Sequence, residues 1–232
     1  MIFNVFTLFP GFFESPIHTG LMGKACEAGI ITVNTVNIRD YSDDRFHRCD
    51  DYPYGGGSGM VLKPEPLMKA LDSRKGKKGI TLLTSPGGRV LDQNMVKKFS
   101  RVEEIDIICG HYEGVDQRVI DEYVDFEISI GDYILSGGEF ASLIIIDSIA
   151  RYIPGFMSNQ ESLCDESFED NLLEYPQYTR PETIRGIQVP EVLLSGHHEN
   201  IKRWRKEQSV EKTRKVRPDL YQRYLLNKIT GE

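Results

Sequence analysis

The sequence predicts an α/β protein, a mostly parallel sheet domain followed by a small helical domain. Three observations point there. Short apolar runs rich in β-branched residues recur through the first half, separated by helical patterns, as in parallel sheets covered by helices. Three glycine-bearing segments each lie beyond a candidate strand, where ligand loops gather in open α/β sheets. A polar, acidic stretch then precedes two helical patterns near the carboxyl end.

The apolar start, MIFNVFTLFP, has no basic n-region and no small-residue cleavage site, so it reads as a strand rather than a signal peptide. Residues 2–8 and 32–38 run apolar or alternate, as strands do. Residues 80–84 and 105–109 are apolar runs ending at Ser-Pro-Gly-Gly and Gly-His-Tyr-Glu-Gly, the form of buried strands that lead into functional loops. Between them Asp92 caps a helix with Val96, Phe99 and Val102 on one stripe. Residues 139–152 form the clearest helix, with Phe140, Leu143, Ile144 and positions 147–149 keeping its period until Pro154-Gly155 stops it.

From Phe156 to Thr179 there is no lysine or arginine but six acids, Glu161, Asp165, Glu166, Glu169, Asp170 and Glu174. This stretch reads as a linker or mobile loop and sets the expected division: 1–156 as the sheet domain, 157–175 as a flexible acidic linker, and 176–232 as a helical domain. Residues 199–208 and 218–227 carry the two helices, with Ile201, Trp204, Tyr221 and Leu225 toward a core.

A composition of 40% hydrophobic and 27% charged residues is that of a globular protein. The longest aliphatic run is Leu143 to Ile146, far below the roughly 20 apolar residues of a membrane span. Cys26, Cys49, Cys109 and Cys164 form no CxxC pair and suggest a reducing cytoplasm. The five histidines make no metal pattern, and the adjacent His197 and His198 would not share a helix face, so no metal ligands are assigned. A net charge of −7 opposes a nucleic-acid partner at first sight. Yet the stretch from Glu199 to Arg217 holds eight basic and three acidic residues, so it carries +5 and the rest −12. A basic tail on an acidic body fits RNA contact, although a solvated helix face gives the same pattern.

Pro53-Tyr-Gly-Gly-Gly-Ser-Gly-Met60 lacks the Gly-Lys-Ser/Thr of a P-loop, and taken alone it reads as a flexible loop. The segments Thr84-Ser-Pro-Gly-Gly88, Cys109-Gly-His-Tyr-Glu-Gly114 and 130–139 together suggest a small-molecule site whose backbone groups can read an adenine or ribose edge. Arg151, at the end of the strongest helix, is either functional or a cation complementing the helix dipole. Asp165 and Glu166 lie in the acidic stretch and would ordinarily be solvated.

These segments together closely resemble the bacterial tRNA (guanine-N(1)-)-methyltransferases. The residues that carry the resemblance are Leu8-Phe9-Pro10, Arg39-Asp40-Tyr41, Asp50-Asp51-Tyr52-Pro53-Tyr54-Gly55-Gly56-Gly57, Gly110-His111-Tyr112-Glu113-Gly114-Val115-Asp116 and Ser129-Ile130-Gly131-Asp132-Tyr133. Leu135-Ser136-Gly137-Gly138-Glu139, Tyr178-Thr179-Arg180-Pro181 and Leu194-Ser195-Gly196-His197-His198 follow in the expected order. The resemblance implies a SPOUT-type, trefoil-knotted α/β domain with a small all-α C-terminal domain, acting as a cytoplasmic homodimer on tRNA. Nothing in composition or periodicity points to a knot.

The resemblance further implies that S-adenosylmethionine binds on three loops. Leu83, Thr84, Ser85, Pro86 and Gly88 belong to the first, and Gly110, Tyr112, Glu113 and Gly114 to the second. Ile130, Gly131, Asp132, Tyr133, Ile134, Leu135, Gly137 and Gly138 belong to the third. The family depends on Mg2+, but no dedicated carboxylate cage is visible. Its base is a linker aspartate, and its electrophilic helper is the arginine matching Arg151. The family usually reads acid-acid-Asp-Ser-Phe, while this chain has Cys164-Asp165-Glu166-Ser167-Phe168, so ungapped alignment puts Glu166 on the catalytic position with Phe168 anchoring the register. Asp165 takes the role only after a shift of one residue. Other departures are Ser58, Gly87 and a tail that stops soon after the second helix. Two rival readings remain, a knotted methyltransferase for another RNA such as ribosomal RNA, and a non-catalytic RNA-binding protein.

Overall fold

Phe3 and Val5 fall on one side of the first strand and Asn4 and Phe6 on the other, and all four are fully buried. A strand buried on both faces needs helices above and below it, which is the reason for its continuous apolar character. In the computed structural model, which describes residues 1–74, 79–157 and 166–230, that is the arrangement found.

Strand β1 (Ile2–Thr7) leads through a short 3₁₀ turn to α1 (Glu14–Ile17), α2 (Gly20–Glu27) and β2 (Thr32–Asn37). The small antiparallel pair β3 (Asp50–Asp51) and β4 (Val61–Leu62) precedes α3 (Pro64–Asp72). Then come β5 (Ile80–Val90), α4 (Gln93–Phe99), β6 (Glu104–Cys109), α5 (Gln117–Tyr123), β7 (Phe126–Ser129) and α6 (Glu139–Ala150). The five long strands form one sheet in the order β2-β1-β6-β5-β7, parallel throughout. One face packs on α2, α4 and α6 through Met22, Met95, Phe99, Ile145 and Ile149. The other packs on α3 and α5 through Leu67, Leu71 and Val119.

Asp92 caps α4 as expected, its carboxylate accepting from the Met95 N–H at 2.8 Å. Two elements differ from the sequence reading. The strand expected over 80–84 runs to Val90, because Thr84 and Arg89 both pair with Ile128 and residues 85–88 loop out as an enlarged bulge. In α6 the buried side is Ala141, Ser142, Ile145, Ile146, Ile149 and Ala150, while Phe140 and Ile144 of the expected stripe are exposed. This helix is apolar all round, so hydrophobicity alone cannot phase it. The small side chains decide: Ser142 comes within 3.1 Å of the Cys109 thiol on β6, a close approach that Leu143 or Ile144 would block.

The chain divides into two compact units, Met1–Ser158 and Asn159–Glu232. The second contains the hairpin β8 (Thr183–Ile184) and β9 (Ile187–Gln188), then α7 (Glu191–Leu194), α8 (His198–Val216) and α9 (Pro218–Thr230). Among the described residues its regular structure is thus helical apart from one small hairpin. Its buried residues include Leu172, Ser209, Thr213 and Leu220. Ile201, Trp204 and Tyr221 are half-buried, but Leu225, expected in the core, is exposed, since Leu220 takes the inward position on α9. Of the expected linker, 158–165 lie outside the described residues. At its far end the Leu173 N–H donates to Thr213 Oγ1 at 2.8 Å, and Lys212 Nζ to the Glu174 carbonyl at 2.9 Å. No helix among the described residues is long and apolar enough to cross a membrane.

Candidate active site

The three glycine-bearing segments, the bulge within β5 and the loops at the carboxyl ends of β6 and β7, converge around a cavity of about 430 Å³. The first is the bulge in β5. A Cβ on Gly88 would lie 2.5 Å from the Glu127 carbonyl carbon and the Ile128 nitrogen, so this position is held open for the β7 backbone. The second segment leaves β6, and the third closes back on both strands at Gly138. Here a Cβ would lie 2.1 Å from Thr84 Oγ1, 2.7 Å from the Gly110 nitrogen and 2.8 Å from Cys109 Cα. The Gly138 N–H donates to the Gly110 carbonyl at 2.8 Å. Any side chain at 138 would therefore force apart the strand ends that carry the other two loops.

Of the residues assigned to the cofactor by resemblance, Leu83, Thr84, Ser85, Pro86, Gly110, Tyr112, Glu113, Gly114, Ile130, Gly131, Tyr133, Ile134, Leu135, Gly137 and Gly138 line this cavity. Gly88 and Asp132 do not; Gly88 sits against β7 instead. The cavity also takes in Gln117 and Ile120 from α5, which the sequence reading did not place, and Glu127 and Ile128 from β7, which it implied without bounds. Tyr112 has a φ of 59°, a left-handed backbone that costs a non-glycine residue about 1 kcal/mol and that clusters at functional loops. Burial raises its phenol above the ordinary tyrosine value.

The segment rich in glycine at 53–60 is tied to the same site. The Glu113 N–H donates to the Met60 carbonyl at 3.0 Å, and the Leu62 N–H to the Gly114 carbonyl at 2.9 Å. Its far end is thus fixed to the second loop, where composition alone suggested a flexible tether.

Behind the loops lies a buried charge. Glu139, the first residue of α6, accepts from Thr7 Oγ1 at 2.6 Å and lies 2.7 and 2.9 Å from His111 Nε2 through its two oxygens. The His111 ring leans on Phe9 at 5.2 Å between centroids. Burial pushes the Glu139 carboxyl up, but the His111 and Thr7 hydrogen bonds outweigh it and leave the group below the ordinary glutamate value. The network joins the end of β1, the second loop and the start of α6. His111 lies inside a motif that the sequence singled out, but its pairing with Glu139 had no local signal.

The cavity's charged lining is unbalanced. It contains Glu113 and Glu127, besides His111, and no lysine or arginine among the described residues. Arg151 forms the C-cap of α6 in helical geometry, its N–H donating to the Asp147 carbonyl at 3.2 Å. Glu166 belongs to the second unit, half-buried, and Asp165 lies outside the described residues. The Glu174 N–H donates to Ser167 Oγ at 3.0 Å and the Phe168 N–H to the Leu172 carbonyl at 2.7 Å. Phe168, expected to anchor this register, is 49% exposed, so these bonds and buried Leu172 do the anchoring.

The family profile described as tRNA (Guanine-1)-methyltransferase TrmD matches residues 1–223. Three proteins called tRNA (guanine-N(1)-)-methyltransferase are similar over nearly the full length. That of Treponema denticola is 53% identical over 223 residues, covering 96% of this chain and 91% of its own. That of Clostridium tetani is 49% identical over 226 residues, with 97% and 94% covered. That of Carboxydothermus hydrogenoformans is 51% identical over 220 residues, with 95% and 87% covered.

Proposed function

Because the chain belongs to the tRNA (guanine-1)-methyltransferase family, we propose that it transfers a methyl group from S-adenosylmethionine to N1 of the guanosine at tRNA position 37, 3′ of the anticodon. The observation that carries the reading is the cavity lined by three loops, with two carboxylates and no lysine or arginine among its described residues. Such a lining disfavours a phosphorylated ligand and favours a cation, and S-adenosylmethionine carries both a sulfonium and an ammonium. Its volume of about 430 Å³ falls among small-molecule sites. Leu83, Ile128, Ile134, Leu135 and Ala141 offer apolar surface for an adenine. The knotted chain path of the family is part of the same proposal, and the tight seat of Gly138 between the ends of β5 and β6 is compatible with it.

When bound, the donor supplies an activated methyl whose S–C bond breaks as the N1–C bond forms. The protein's share is alignment, water exclusion and proton management. Guanine N1 holds a proton at neutral pH, so a base must take it while charge gathers on O6. Glu166 takes the N1 proton, with Asp165 as its rival, and Arg151 donates to O6. We assign these residues to one site built by two subunits, with the linker carboxylate of one subunit closing over its partner's cofactor. We also place the homodimer in the cytoplasm, and carry over the family's dependence on Mg2+. Among the described residues no group of three or more His, Cys, Asp or Glu side chains gathers to cage a metal, so the ion has no assigned ligand here.

The test is transfer of labelled methyl from S-adenosylmethionine to tRNA transcripts with guanosine or another base at position 37. Label should enter only the guanosine transcript. Label in both, or label only in ribosomal RNA, would redirect the substrate; no transfer at all would favour a non-catalytic RNA binder.

A further inference from the structure

The C-terminal unit has a second cavity, open to solvent, of about 810 Å³, whose lining includes Tyr175, Tyr178, Arg180, Ile201, Trp204 and Arg205. Tyr178 and Trp204 are neighbours in a tilted pair, with ring centroids 6.3 Å apart and planes inclined at 54°, and Tyr178 is 47% exposed. The Arg205 guanidinium lies 4.7 Å over the Tyr175 ring, and its Nε is buried with no hydrogen-bond acceptor among the described residues. Arg180 is exposed at the same cavity. Against these two guanidiniums stands one carboxylate, Glu182. The cavity opens on α8, which carries most of the +5 stretch and exposes Lys202 and Arg203.

Aromatic faces beside arginines on a basic helix are what an unpaired nucleotide needs, a stacking surface for the base and cations for the phosphate. A duplex buries its base faces and could not enter. An apolar peptide would use the rings but gain nothing from the cations. We propose that this cavity takes one unstacked nucleobase of single-stranded RNA, stacked on Tyr178 and Trp204, with Arg180 and Arg205 facing the flanking phosphates. The inference deepens the tRNA reading by giving the C-terminal unit a base-holding site separate from the methyl-transfer site.

Trp204 is the only tryptophan, so its emission reports on this cavity directly. The full-length protein is titrated with a short oligoadenylate and with an RNA duplex of equal nucleotide content. The single strand should quench Trp204 saturably and the duplex should not. By anisotropy of a labelled oligoadenylate, Tyr178→Ala should weaken binding about tenfold while Tyr178→Phe keeps it. Arg205→Gln should weaken it as well, and serves alone should Tyr178→Ala fail to fold by circular dichroism. Equal quenching by both RNAs, or wild-type affinity in Tyr178→Ala and Arg205→Gln, overturns the proposal. Methyl transfer to the guanosine-37 transcript without any Trp204 response ends this inference and leaves the methyltransferase reading intact. A Trp204 response without methyl transfer does the opposite.

Discussion

Replacing Glu139 with glutamine tests whether the loops around the cavity are held by a buried charge. Glu139 is 5% exposed and receives hydrogen bonds from Thr7 and His111. A hydrogen bond to an ionised group contributes about 1.5–3 kcal/mol and a neutral one about 1 kcal/mol, so removing the charge from two such bonds costs about 2 kcal/mol. For a unit of this size each kcal/mol moves the melting temperature by roughly 2–4 °C, which gives a drop of about 4–8 °C for Glu139→Gln at neutral pH. The pH dependence follows from the direction of the shift. The folded Glu139 value lies below its unfolded value, ordinarily about 4.3. Its stabilisation is therefore complete above that pH and is lost as pH falls toward the folded value, so the melting curves of wild type and variant should converge in acid. Because His111 lines the cavity, S-adenosylmethionine should bind the variant about tenfold more weakly, a change of 1.4 kcal/mol. Thermal melting at stepped pH and calorimetric titration provide the readouts. Equal melting and equal affinity at neutral pH would refute the view that this charge organises the site.

Four further outcomes are expected. Glu113→Gln should reduce the preference for S-adenosylmethionine over its uncharged-sulfur product by at least about threefold in calorimetry, because it removes a carboxylate from the cavity wall; an unchanged ratio would remove the electrostatic argument for the donor. Glu166→Gln should lose on the order of 10²–10⁴-fold in single-turnover rate with near-normal cofactor affinity. Asp165→Asn should lose less than about tenfold, 1.4 kcal/mol, and the reverse ranking gives the proton to Asp165. Inactive Arg151→Ala and inactive Glu166→Gln chains, refolded together, should recover part of the activity, whereas a protein that sediments as an active monomer would end the shared-site proposal.

What could be read from the sequence followed the range of the interactions involved. β1, β2 and β6 were legible to within a residue: β1 and β6 because a strand buried on both faces has little choice but to be apolar, and β2, an edge strand with no fully buried residue, because its β-branched residues alternate with polar ones. The loops were legible because glycine accumulates where backbones approach closely, as at Gly88 and Gly138. β7 was implied ahead of the third glycine-bearing segment but had no readable bounds, being four residues with Glu127 among them, and α5, a seven-residue helix with mixed composition, was not legible. Those two elements supply Glu127, Gln117 and Ile120 to the cavity, so of its two carboxylates only Glu113 was in view from the sequence. The His111–Glu139 pair spans 28 positions and has no periodic signature at all. Charge was partly legible: the +5 stretch lies on α8, but it is divided there between ion pairs such as Arg214–Glu211 at 2.9 Å and Lys206–Asp170 at 3.6 Å, and cations that face outward.

The choice between Glu166 and Asp165 shows how local packing bears on a catalytic assignment that identity alone leaves open. By residue type the resemblance calls for Asp165; by ungapped position it calls for Glu166. A slip of one residue would have to carry Ser167 and Phe168 with it. Ser167 Oγ accepts from the Glu174 N–H, and the Phe168 N–H donates to the Leu172 carbonyl, with Leu172 itself only 5% exposed. Giving up both bonds costs about 1 kcal/mol each, before any loss of Leu172 burial at ~25 cal/mol per Å². Glutamate, by contrast, accommodates its extra methylene by a change of rotamer, at a cost of order 0.5–1.5 kcal/mol even when strained. The longer side chain adapting in place is thus the smaller perturbation than the backbone moving past its own hydrogen bonds. The same comparison makes Ser167→Ala informative: it loosens the register without touching either carboxylate. If Glu166 acts from a fixed register, this variant should lower the rate while Glu166→Gln remains far more damaging than Asp165→Asn. A Ser167→Ala enzyme in which Asp165 becomes the more important carboxylate would show that the register, and not the residue type, had excluded it.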